Sequence, residues 1–428
     1  MKILFIQHKG FINGSGGTEK ICSFLANEFC DLGHIVEIAT NQDINGKPVF
    51  PLNSKVLVTN IFDKNISQIE LQDTFNYNGF NPLKWIQYKI RKKSIKRKNK
   101  NLIKTIGGVD ELFKFNLHHR AKAWKSYIDS SKPDIIITMS IGSLLEITFK
   151  NEYQMPIVNS TNGRPDYDYS DILWYRSPSE IALLKEAYKK LSGIQVLFES
   201  YKDFLPSTFI GKSIVIPNPV PQWFRDEMVD HKVVKNMYKI INIASLAVDC
   251  KQQHIAIESF ASVSEYFLNW ELHFFGVGND FNFLNEKIKQ LNLQDKIFLN
   301  GFTAEPIEEL KISDIFIFPS KYEGFPLALT EAMSVGLPSI GFASCSGVNE
   351  LIKHEINGFL ANNTEEFTSY LEKLMQNESL RHKMGQNAYL EMEKYAPEII
   401  SNEWESFLKS LTSCITPEDG KFPLSVHQ

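Results

Sequence analysis

Short apolar runs alternate with longer amphipathic stretches along most of the chain. Residues 3–7 form an apolar run closed by a glycine loop at 10–17, the pattern of a buried strand. Residues 19–32 then set Ile21, Phe24, Leu25 and Phe29 at helical spacing and stop at Gly33, a favourable helix C-cap. A second strand is expected at 34–40. Strand, loop, helix, strand in that order calls for a parallel sheet whose functional loops lie at the carboxyl ends of its strands. Runs at 134–139, 156–160 and 193–198 continue the series.

Between residues 60 and 125 the regularity fades. Trp85-Ile86-Gln87-Tyr88 precedes a basic run at 89–104, which reads either as a solvated lysine-rich helix or as a surface for anionic lipid head groups. The neighbouring aromatics favour the second, with Lys92, Lys93, Lys96 and Arg97 as its cations. At Val215-Ile216-Pro217-Asn218-Pro219 two prolines and the polar stretch after them mark a linker. Beyond it, strands are expected at 240–244, 271–275, 297–299, 315–318 and 339–341. Helices should alternate with them at 253–266, 281–291, 307–312 and 327–335.

This pattern predicts an α/β architecture of two Rossmann-like, doubly wound parallel-sheet domains facing a central cleft. The first spans 1–218, a linker 219–236, and the second 237–395. A helix at 396–412 carries Ile399, Ile400, Trp404, Phe407 and Leu408 on one face and is expected to cross back to the first domain, ahead of a loose tail at 413–428.

Composition narrows the reading. The 428 residues are 43% hydrophobic and 22% charged, ordinary for a soluble globular protein. A net charge of −4 gives no whole-chain attraction for nucleic acid. Five scattered cysteines make neither a disulfide framework nor a zinc spacing, so a cytoplasmic setting is expected. His8, His118, His119 and His254 show no metal-ligand spacing and are expected to be structural or solvent-facing.

The densest chemistry lies in Ile315-Phe316-Ile317-Phe318-Pro319-Ser320-Lys321-Tyr322-Glu323-Gly324-Phe325-Pro326-Leu327-Ala328-Leu329-Thr330-Glu331. A buried strand ends, a loop holds an acid and a glycine, and Pro326 is expected at the first helical position. Free amides at the helix start suit a phosphate, and Gly324 would let the backbone approach it. Glu323 and Glu331 could accept hydrogen bonds from sugar hydroxyls. Eight residues apart, two glutamates alone mean little; their setting between strand, glycine, proline and helix gives them weight.

That segment resembles the paired-glutamate signature of the family-4 retaining glycosyltransferases, whose fold is GT-B. Three further stretches resemble family motifs in the same order: Gly14-Ser15-Gly16-Gly17-Thr18-Glu19, the junction at Val215, and Ser346-Gly347-Val348-Asn349-Glu350 with Asn357-Gly358. The resemblance implies a hexose or N-acetylhexosamine donor on a nucleoside diphosphate, with uridine as base, and a growing, lipid-linked glycan as acceptor in surface polysaccharide assembly. Under it Glu323 contacts the transferred sugar, Glu331 the ribose, and Lys251 the diphosphate. Gly324, Phe325, Pro326, Leu327 and Gly17 would line the donor site, and Gly16, Gly17, Thr18 and Asn162 would meet acceptor or sugar. No metal or other cofactor is implied.

Two positions depart from the family. Ser245 stands where members carry an arginine for the diphosphate, leaving Lys321 or Arg164 as substitutes, and Asn162 stands where many carry a histidine. Asp166-Tyr167-Asp168 matches the metal-binding aspartate pair of the other large glycosyltransferase fold, but the surrounding architecture is wrong for it; it reads as acceptor-side loop or plain surface. Cys250 reads as a structural thiol. A nucleotide-sugar epimerase and a catalytically silent partner subunit of the same fold remain open alternatives.

Overall fold

The computed structural model describes residues 1–74, 77, 79–172 and 176–413. The expected loose tail therefore falls, beyond Ser413, outside the described residues. Two wholly parallel sheets organise the chain. The first has strands β1 (Lys2–Ile6), β2 (Ile35–Thr40), β3 (Leu57–Asn60), β4 (Ile135–Thr138), β5 (Ile157–Ser160), β6 (Gly193–Val196) and β7 (Lys212–Val215), in the order β3-β2-β1-β4-β5-β6-β7. The second has β8 (Tyr238–Ile243), β9 (Trp270–Phe275), β10 (Ile297–Leu299), β11 (Ile315–Phe318), β12 (Ser339–Phe342) and β13 (Gly358–Ala361), in the order β10-β9-β8-β11-β12-β13.

Strand order reverses between β1 and β4 in one sheet and between β8 and β11 in the other. Open α/β sheets bind ligands at that reversal, because the helices leaving either side part there and open a crevice. The glycine loop follows β1, Ser245 follows β8, and Glu323 follows β11, so both crevices receive the residues singled out from the sequence. Strands β1, β4, β5, β6, β11 and β12 are buried on both faces apart from Lys2, which explains their unbroken apolar character.

Several expectations are corrected. The stretch 60–125 is irregular only in its first part: among the described residues no helix or strand lies between Asn60 and Pro82, after which two long helices, Pro82–Ile106 and Val109–Ser131, occupy it and run past its end. The second places Leu112, Leu117, Ala121, Trp124 and Ile128 in the core, so it is a crossover helix of the sheet rather than an insertion. Strands β3 and β7 were missed because as edge strands they are partly exposed and mix polar with apolar residues. In the read linker, Val220 and Val229 are buried in the second domain's core. The terminal helix Pro397–Thr412 packs Ile400, Trp404, Phe407 and Leu408 into the same cluster as Ile3, Phe5 and Leu25 of the first domain. Ile399 turns outward instead, and Ser401 takes the buried place.

Candidate functional site

Two helices begin at opposite walls of the cleft between the sheets. Gly17–Asp31 starts after Gly16, and Leu327–Ser334 starts after Pro326; neither start has a side-chain cap. Pro326 is thus the residue before the helix and not its first residue, its carbonyl accepting the first helical hydrogen bond from Thr330. The amides left without intrahelical partners belong to Leu327, Ala328 and Leu329 on one wall and to Gly17, Thr18 and Glu19 on the other. The walls nearly touch: a Cβ on Gly17 would lie 3.4 Å from Leu327 Cδ1. Two positive helix ends therefore converge on one space, which favours an anion there.

That space is a cleft of about 590 Å³, within the range of small-molecule sites. Lining it are Gly16, Gly17, Thr18, Asn162, Ser245, Lys251 and the run 323–328 with Glu331, so every predicted donor and acceptor residue reaches one site. Lys251 Nζ lies 2.6 Å from Glu323 Oε1. Burial works against the Lys251 charge, but the Glu323 carboxylate outweighs it and holds the ammonium above its ordinary pKa. Glu331, almost buried on its helix, meets Lys20 Nζ at 2.5 Å from across the cleft. The plainest sequence reading of Glu331 was pairing with a nearby lysine; the pair exists, and its lysine is 311 positions away in the other domain.

Lys20 is a charged residue of the cleft that sequence reasoning missed. Its signal was present: it lies one turn into the helix that opens at Gly17, on the face toward the cleft. The proposed substitutes for the absent arginine do not line the cleft. Arg164 is held by Asp166 at 2.7 Å and stacks on Phe204, while Lys321 is exposed over the Tyr322 ring. Phe302, Thr303 and Ala304, in the loop after β10, also line the cleft and were not anticipated.

Gly324 has another reason to be glycine than approach to a ligand. A Cβ there would sit 2.0 Å from Asn162 O and 2.6 Å from Gly163 Cα, so the two domains touch backbone to backbone at this point. The contact is pinned from both sides. Tyr201 Oη donates to Gly324 O at 2.9 Å, Ser346 Oγ donates to Glu323 O at 3.0 Å, and Tyr167 Oη reaches Ser346 Oγ at 2.7 Å. Phe325 stacks on Phe198 of the first domain with ring centroids 5.5 Å apart. In the glycine loop, Gly10, Gly14 and Gly16 crowd around the Glu19 carboxylate, and only Gly16 and Gly17 reach the cleft. Their use is mainly to fold the loop.

A second cavity of about 380 Å³ opens beside the first, inside the N-terminal domain, and shares Thr18 and Asn162 with it. His8 and Asp168 line it, so neither is plain surface. His8 contacts Ser143 Oγ at 2.9 Å, and burial, with the charges of Lys9 and Arg120, depresses its pKa to about 3. Asn162 Nδ2 is committed to Met139 O at 2.7 Å. Cys250 is half-buried, and burial raises its pKa despite Lys251, as fits a structural thiol.

Of the surface set, Lys93, Lys96 and Arg97 are exposed on the Pro82–Ile106 helix and Lys92 is half-buried. That helix carries ten lysines and arginines and no acidic residue, and its first half exposes Leu83, Trp85, Ile86 and Ile90. Among the described residues no helix is long and apolar enough to cross a membrane.

Comparison with known proteins agrees with this geometry. The model of the family "Glycosyl transferases group 1" matches residues 224–391, beginning inside the stretch read as linker. The chain is 28% identical to an exopolysaccharide phosphotransferase of Streptomyces coelicolor over 62% of its own length, though it covers only 26% of that longer protein. It is 29% identical to an uncharacterized glycosyltransferase of Methanocaldococcus jannaschii, over 64% of this chain and 70% of that one. In structure it resembles a S. aureus TarM mutant crystallised with Fondaparinux, α-GlcNAc-glycerol and UDP, with a TM-score of 0.69 and 17% identity over 95% of this chain and 99% of that one. Residues 224–391 are therefore a glycosyl transferases group 1 domain, seated in a chain with the GT-B fold.

Proposed function

We propose that the chain is a retaining glycosyltransferase that moves a hexose or N-acetylhexosamine from a UDP-sugar to a growing glycan in cell-surface polysaccharide synthesis. One observation carries this reading: two uncapped helix starts, Lys251 and Lys20 surround a single cleft whose two carboxylates are Glu323 and Glu331. Positive charge is gathered where a diphosphate would sit, and acceptors where sugar and ribose hydroxyls would sit.

The chemistry asks little of individual side chains. As the bond from the anomeric carbon to the diphosphate lengthens, negative charge grows on the leaving oxygen, and Lys251 with the amides of Leu327 and Ala328 stabilises it. The acceptor hydroxyl enters on the same face and its proton passes to that diphosphate oxygen. Glu323 orients the sugar and shields the developing positive charge at its ring. Lys20 supplies the second cation that Ser245 does not, and this weighs against a silent partner subunit. The reading requires no metal ion. The acceptor approaches from the N-terminal domain past Thr18 and Asn162. A lipid-linked acceptor fits the basic, partly apolar Pro82–Ile106 helix lying against the inner face of the cytoplasmic membrane.

Calorimetry with UDP and turnover of a labelled UDP-sugar test the reading. Wild-type protein should bind UDP and hydrolyse the donor slowly without acceptor, and Glu323→Ala should lose turnover while keeping its melting temperature. Absence of UDP binding, or an unchanged rate in the variant, refutes it; an epimerised nucleotide sugar as product would mark the alternative enzyme.

A further inference from the structure

The loop that carries Glu323 is held at three consecutive residues. Tyr322 O accepts from Cys250 Sγ at 3.7 Å, Glu323 O from Ser346 Oγ at 3.0 Å, and Gly324 O from Tyr201 Oη at 2.9 Å. Lys321 N donates to Cys250 O at 2.8 Å, which ties the loop to the short helix Val248–Lys251. The turn after Ser346 leaves no slack, since a Cβ on Gly347 would lie 2.4 Å from Gly324 O. A backbone fixed in this way fixes the direction in which the Glu323 side chain leaves it.

Two of these bonds lead back to the first domain. Tyr201 lies in the turn Glu199–Phe204 after β6 and is buried beside Phe198, their ring centroids 5.2 Å apart, in the cluster that forms the second domain's core. Ser346 has one hydroxyl hydrogen, and it is spent on Glu323 O. Tyr167 Oη, 2.7 Å from Ser346 Oγ, is therefore the donor of that pair. The Tyr167 ring is itself gripped: Tyr322 meets it edge to face with centroids 5.8 Å apart, and the Arg164 guanidinium, held by Asp166, lies 4.6 Å over it. Burial raises the pKa of both phenols, so each keeps the proton it gives. Asp166-Tyr167-Asp168, in sequence an acceptor-side loop or plain surface, thus turns its middle residue toward the Glu323 loop.

We propose that Tyr167 and Tyr201 are positioning residues for the transfer: acting through Ser346 and Gly324 O, their hydroxyls hold the Glu323 carboxylate in the orientation that meets the donor's sugar. The inference rests on the transferase reading and adds that the first domain helps to build the loop carrying Glu323 in the second. An orientation set before the donor arrives costs no reorganisation as the sugar's bond to the diphosphate breaks.

Neither tyrosine lines the donor cleft, and neither does Ser346, so none of the three touches the donor. Glu331 and the amides of Leu327 and Ala328, which would meet the nucleotide, take no hydrogen bond from either tyrosine. Loss of either hydroxyl should therefore disturb the sugar and its reaction while leaving the grip on UDP in place. A residue that merely stabilised the fold would show no such division.

Tyr167→Phe and Tyr201→Phe keep the rings and remove only the oxygens. The full-length wild type, these two variants, Ser346→Ala and the double variant Tyr167→Phe with Ser346→Ala are compared by UDP calorimetry and by turnover of UDP-glucose and UDP-N-acetylglucosamine, with melting temperatures to report an intact fold. Each tyrosine variant should lose about tenfold in kcat, short of the roughly 10²-fold that a displacement of about 1 Å costs, and keep its UDP affinity within about threefold. The double variant should fall no further than Ser346→Ala alone, because Tyr167 acts through that hydroxyl. A kcat within about twofold of wild type, a loss of UDP affinity equal to the loss of kcat, or losses that multiply in the double variant overturns the proposal. A wild type that binds no UDP, or turns over neither donor, sinks the transferase reading instead.

Discussion

Gly324→Ala adds one methyl group where the domains meet. The added carbon would lie 2.0 Å from Asn162 O, against a contact distance of about 3.2 Å, so the backbones must part by roughly 1.2 Å. Asn162 cannot yield alone, because its side chain is tied to Met139 O and its backbone continues from the buried strand β5. On the other side, the loop is pinned by Tyr201 and Ser346. The methyl therefore holds the cleft open. Misplacing reacting groups by about 1 Å costs on the order of 10²-fold in rate. UDP should lose much less, since Lys251, Glu331 and the Leu327 helix start all lie on the donor domain. The expected result is a fall of about 10²-fold in turnover of the UDP-sugar with UDP affinity within about threefold of wild type, by steady-state kinetics and calorimetry. Turnover within a few-fold of wild type would show that closure at Gly324 plays no part in the reaction.

Two further perturbations probe the charges. Lys20→Met removes the cation across the cleft; UDP affinity should fall about tenfold, or about 1.4 kcal/mol, and the loss should shrink at high salt. An equal or tighter affinity would mean that Lys20 only masks Glu331. Neutralising Lys92, Lys93, Lys96 and Arg97 together should cut co-sedimentation with anionic liposomes at low salt at least tenfold, since each cation near such a surface contributes about 1 kcal/mol. Persistence of binding would remove the membrane role.

Much of this protein is written locally. Apolar runs of three to six residues, most of them followed by a helical repeat, specify two parallel sheets, because buried strands and amphipathic helices leave different periods in the chain. The same locality singled out Glu323 and Glu331, which lie in the loop after a strand and in the opening turns of the next helix, where open α/β sheets bind ligands, whereas Lys251 and Gly17 were picked out by the family resemblance. The errors were also local in origin. Edge strands such as Lys212–Val215 carry a weak pattern, and the Val109–Ser131 helix looked like an insertion until Trp124 was seen in the core.

Tertiary structure decided what crosses between distant segments. No periodicity links Lys20 to Glu331, Gly324 to Asn162, or Arg120 to Glu146, since those meetings depend on how two rigid sheets dock and not on spacing along the chain. Asp168 shows the point most sharply. The sequence around it reads as an acceptor-side loop or plain surface, and only the packing of the surrounding helices and strands makes it a half-buried carboxylate that lines a cavity and whose pKa burial raises.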